Sequence, residues 1–134
     1  MIEGNKKVSQ KALAGKRILM IMSDKYASNM LKQHLTKYKA IVMLAYDGVS
    51  GLKKIEEKKY DLIILDILFP GLNGYEIITK IKERHLSEAP IIILTNLSSE
   101  NYVKKAFELG VSDYLLLTEI TPDDFVNIIG SNFL

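Results

Sequence analysis

Asp66 is the residue of this chain best placed to do chemistry. It follows the apolar run Leu62-Ile63-Ile64-Leu65 and precedes Ile67-Leu68-Phe69-Pro70-Gly71. Four residues suited to burial thus deliver a carboxylate to the start of an irregular turn. A carboxylate in that position can act as a nucleophile toward phosphorus and form an aspartyl phosphate. Such a transfer needs a divalent metal and a cation to offset charge on the moving oxygens. The other apolar runs end in Met22-Ser23-Asp24, in Thr95 and in Leu117. Plain structural roles compete with the chemical ones: Asp66 as a turn or helix cap, Thr95 as a strand terminator.

The elements that position these residues follow from hydrophobic period. Five short apolar runs, 17–22, 40–45, 61–66, 90–95 and 112–117, are nearly continuous in apolar character. Strands buried on both faces of a parallel sheet read this way. Helix-length segments separate them, with apolar residues at i, i+3 and i+4 spacing: Met30, Leu31 and Leu35; Leu52 and Ile55; Ile77, Ile78 and Ile81; Val103, Ala106 and Phe107. Asn73 with Glu76 three residues on predicts a capping box. Thr121-Pro122-Asp123-Asp124 supplies an N-cap, a first-turn proline and first-turn acids. Gly110 follows Leu109 where a helix should stop. The expected fold is α/β, a doubly wound (βα)5 with a parallel five-stranded sheet. Ligands of such sheets sit outside the carboxyl ends of the strands, where the strand order reverses.

Composition narrows the function. The 134 residues suit one domain, and 48% hydrophobic content supports a core. The chain has no cysteine, which excludes disulfides and thiolate zinc sites. No apolar run approaches the roughly 18 residues of a membrane span, and no secretory signal is visible, so a cytoplasmic location is expected. Residues 1–17 carry five Lys or Arg and one Glu, whereas the remaining 117 carry 13 basic and 15 acidic groups. The expected organisation is a flexible basic tail over 1–16 and a single domain over 17–134. The last helix ends so near the terminus that no output domain is expected. Without an excess of positive charge on the domain, nucleic-acid binding is not expected. His34 and His85 lie on different helices and form no metal pattern, and no phosphate-binding glycine loop or HExxH is present.

DLIILDILFPGLNGYEII, IIILTNLSS and ELGVSDYLLL together resemble the receiver domain of bacterial two-component systems, similar in kind to the chemotaxis regulator, over residues 17–130. The resemblance implies a flavodoxin-like receiver fold, with Asp66 as phosphoacceptor, Thr95 as switch hydroxyl and Tyr114 as the aromatic that rotates on phosphorylation. It implies a Mg2+ site at Asp66, Asp24 and the Leu68 carbonyl. Its partners would be a histidine kinase or phosphotransfer protein and a downstream protein, the chain being a monomer or weak dimer.

The sequence departs from the family pattern at three places. Met22 and Ser23 stand where the family has metal-binding acids, and Leu117 stands where it has lysine. Lys25 is the nearest substitute cation. Three functions therefore compete: a stand-alone phosphorylated receiver; a pseudo-receiver that binds partners independently of phosphate; and, more distantly, a small-ligand binder or enzyme of the flavodoxin-like fold. Beyond its own phosphorylation, no enzymatic activity is expected.

Overall fold

The computed structural model describes residues 2–134, with side chains from Lys6 onward. Five strands, β1 (Arg17–Ile21), β2 (Ile41–Ala45), β3 (Leu62–Leu65), β4 (Ile91–Thr95) and β5 (Asp113–Leu116), form one parallel sheet in the order β2-β1-β3-β4-β5. The helices are α1 (Ile2–Ala12), α2 (Lys25–Thr36), α3 (Gly48–Glu57), α4 (Gly74–Glu83), α5 (Glu100–Glu108) and α6 (Pro122–Ser131). The strand order reverses between β1 and β3, which puts the switch point beside Asp66.

The continuous apolar runs divide between two cores because successive strand side chains point to opposite faces. Ile18, Met20, Met22, Leu62 and Ile64 pack with Leu31 and Leu35 of α2 and with Phe125, Val126 and Ile129 of α6. Leu19, Ile21, Ile63 and Leu65 pack on the other face with α3, α4 and Ala106 of α5. Both expected start signals are realised. Asn73 and Glu76 form a reciprocal capping box on α4, and Thr121 and Asp124 form one on α6. Gly110 ends its helix with φ of 92°, a left-handed conformation that suits glycine. No helix among the described residues is long and apolar enough to cross a membrane.

Two expectations fail. Residues 2–12 form α1 instead of belonging to a flexible tail. The helix lies on α6: Ser9 is buried, Leu13 just beyond it enters the first core, and a Cβ at Gly130 would overlap the Ser9 carbonyl oxygen. A crossing that depends on a glycine and a serine leaves no apolar stripe to read. On α5, Phe107 is 47% exposed and not buried. That helix rests on Ala106 and Leu109, which turns Phe107 outward.

Candidate functional site

The β1–β3 register pairs Ile21 with Leu65, so the residues that follow, Met22 and Asp66, emerge side by side at the carboxyl edge. The Asp66 N–H donates to the Ile21 carbonyl at 3.0 Å, extending the ladder one step. The Asp66 carboxylate is half-buried and accepts the Ile67 N–H at 2.6 Å. Behind it, the Gly74 N–H donates to the Ile67 carbonyl at 2.7 Å, which closes the turn onto the start of α4. A Cβ at Gly74 would lie 2.8 Å from the Ile67 Cα and would overlap the Asp66 carbonyl oxygen. Glycine is therefore a steric requirement there, and it fixes the backbone that carries the carboxylate.

Met22 is fully buried, and its side chain belongs to the apolar cluster beneath α2 and α6. Leu117, just past β5, packs against the same cluster. Ser23 is exposed. Asp24 caps α2: its carboxylate accepts the Ala27 N–H at 3.0 Å, which satisfies an orphan donor of the first turn. Leu68 lies in the β3–α4 loop with its side chain 58% exposed. Lys25 holds its ammonium 5.1 Å from the centroid of the Tyr46 ring. Tyr46 follows β2, on the far side of β1 from β3, so Lys25 is engaged away from Asp66. Among the described residues, no three His, Asp or Glu side chains come together as a metal cluster.

Thr95 and Tyr114 converge on Leu97 of the β4–α5 loop. The buried Thr95 hydroxyl oxygen accepts the Leu97 N–H at 3.4 Å. The Tyr114 hydroxyl donates to the Leu97 carbonyl at 2.5 Å. Tyr114 thus points into the molecule, and burial pushes its phenol up to about 12, helped by negative charge at Tyr75, Asp66 and Tyr102. Tyr75, which the sequence reading passed over, donates its hydroxyl to the Tyr102 carbonyl at 2.9 Å and takes Lys105 over its ring at 4.6 Å. Burial raises its phenol as well. Residues 75, 102 and 114 share no local pattern; they belong to α4, α5 and β5, and the tertiary fold brings them together. His34, in the last turn of α2, and His85, past the end of α4, lie on separate elements.

Residues 18–129 match the family described as "Response regulator receiver domain". The transcriptional activator protein IrlR of Burkholderia pseudomallei is 33% identical over 113 residues, covering 84% of this chain and 47% of its own length. The response regulator ArlR of Staphylococcus aureus is 38% identical over 101 residues, covering 75% of this chain and 45% of its own. The chain therefore spans about half the length of these curated relatives. A CheY-like response regulator receiver domain protein from Methanospirillum hungatei superposes with a TM-score of 0.81 at 26% identity, covering 90% of this chain and 94% of that one.

Proposed function

The chain belongs to the response regulator receiver domain family, and on that footing we propose that it is a pseudo-receiver: a signalling module that works by protein–protein contact without efficient phosphoryl transfer to Asp66. The burial of Met22 in the apolar cluster that also takes Leu117 carries this reading. A metal-binding acid and a phosphate-binding lysine are opposite charges that neutralise one another and the phosphoryl group. Replacing both with apolar side chains leaves no buried charge behind, and both side chains join one apolar cluster at the carboxyl edge instead.

The donors do not suit Mg2+, which prefers octahedral oxygen ligands and usually one or two carboxylates with water. Asp66 brings a carboxylate, Asp24 is engaged as a helix cap, and Ser23 offers only a hydroxyl. Leu117 offers no cation, and Lys25 is engaged over Tyr46. A cation withheld from phosphoryl transfer costs roughly 10³-fold or more in rate. The partners in this reading are proteins that dock on the surface made by α5, β5 and α6, where Tyr102 and Phe107 are exposed.

A second reading, phosphorylation of Asp66 by a histidine kinase or phosphotransfer protein, draws on the place of Asp66 at the switch point and on the link of Thr95 and Tyr114 through Leu97. Amide NMR spectra in millimolar Mg2+, followed by beryllofluoride, separate the two. The pseudo-receiver predicts no saturable shift at Asp66, Thr95 or Tyr114. Shifts at those three positions that vanish in Asp66→Asn would overturn it in favour of the phosphorylated switch.

A further inference from the structure

We propose that α1 and the turn between α2 and β2 form a binding site for a compact multivalent oxyanion, the chemistry of a free di- or triphosphate group. The helix lies outside the residues that match the receiver family, whereas the turn lies within them. The two elements flank an open groove of about 320 Å³. Lys7 and Lys11 line it from α1, and Lys37, Tyr38 and Lys39 line it from the turn, with no carboxylate among the lining residues. None of the four lysines takes part in an ion pair among the described residues.

Four ammonium groups around one concavity repel one another. The carbonyl ends of α1 and α2 account for two of them, because Lys11 sits in the last turn of one helix and Lys37 caps the other. Lys7 lies one turn too early for that explanation and meets Lys11 at the unfavourable like-charge i, i+4 spacing. Lys39 lies beyond the helix end. It also adopts a left-handed backbone, φ 68°, where glycine or asparagine is the low-strain residue. That backbone is fixed from α1's side: the Lys39 carbonyl accepts the Gly15 N–H at 2.9 Å. Lys37 holds its ammonium 5.7 Å from the Tyr38 ring centroid, itself part of the lining. Lys39, kept in a strained conformation beside three other lysines that line one groove, fits selection for charge at that point. The close crossing of Ser9 and Gly130 holds α1 where Lys7 and Lys11 line the groove.

The test is calorimetric titration of the full chain with inorganic tripolyphosphate, with thermal unfolding in parallel. Saturable binding is expected, weakened about tenfold or more in Lys7→Gln/Lys11→Gln. Lys39→Gly separates function from stability. It relieves the backbone and so holds or raises the unfolding midpoint, while affinity falls about fivefold or more. Three results would overturn the site. Sodium chloride at matched ionic strength reproduces the thermal shift, a hexaglutamate peptide binds as well, or the lysine variants bind like the parent.

Discussion

The backbone N–H of Leu117 donates to the Thr95 carbonyl at 2.9 Å, one step beyond the last β4–β5 pair. That bond fixes the main chain at the end of β5 and hands the Leu117 side chain to the cluster that contains Met22. Two apolar residues, one after β1 and one after β5, are thereby placed at the carboxyl edge by sheet register, and their energetics can be measured.

Met22→Asp should destabilise the domain by about 3–5 kcal/mol, because it buries a carboxylate without a partner. Adding Leu117→Lys should recover at least about 1 kcal/mol of that loss, since the two new charges offset one another. Urea denaturation of the two single variants and the double variant gives the coupling. A coupling of zero would mean that the positions do not communicate.

Gly74→Ala should cost about 1–3 kcal/mol, because the added methyl overlaps the Asp66 carbonyl and backbone must shift to admit it. The amides of Asp66 and Ile67 should move in the NMR spectrum more than those of β2. Gly71, whose φ of 81° is left-handed but whose surroundings are open, makes the comparison. Its alanine variant should be strained without displacing Asp66.

Tyr114→Phe should lose about 0.5–1.5 kcal/mol at neutral pH, the net worth of the hydroxyl bond to Leu97. The pH dependence has a definite sign. The folded phenol titrates near 12 against an ordinary value of 10.0. The folded state therefore holds its proton where the unfolded state has lost it. Stability from this group is fully present below the ordinary value and is lost as pH rises through the folded one. The unfolding midpoint of the parent should fall more steeply over that alkaline window than that of Tyr114→Phe. Equal slopes would place the phenol in solvent.

Gly130→Ala should undock α1 while sparing the sheet, because its Cβ meets the Ser9 backbone and not the core strands. Hydrogen exchange should quicken over residues 6–12 and stay slow in β1 and β3. Unchanged protection of α1 would mean that the crossing tolerates a methyl.

Much of this molecule was legible from the chain alone. The five strands came from short apolar runs, the caps at Asn73 and Thr121 from residues three apart, and the place of Asp66 from the run before it. The family resemblance likewise rested on contiguous motifs, and the receiver fold matched it. These signals are local: a side-chain period or a cap is complete within a turn or a strand.

Tertiary structure decided the rest. It engaged Asp24 as a cap and drew Lys25 to Tyr46. It joined Thr95 and Tyr114 through Leu97, gathered Met22 and Leu117 into one cluster, and laid α1 on α6. Apart from the cap, each is a contact across elements whose alignment depends on strand order and register. The α1 crossing in particular rests on the absence of a side chain at Gly130, and no periodicity announces that.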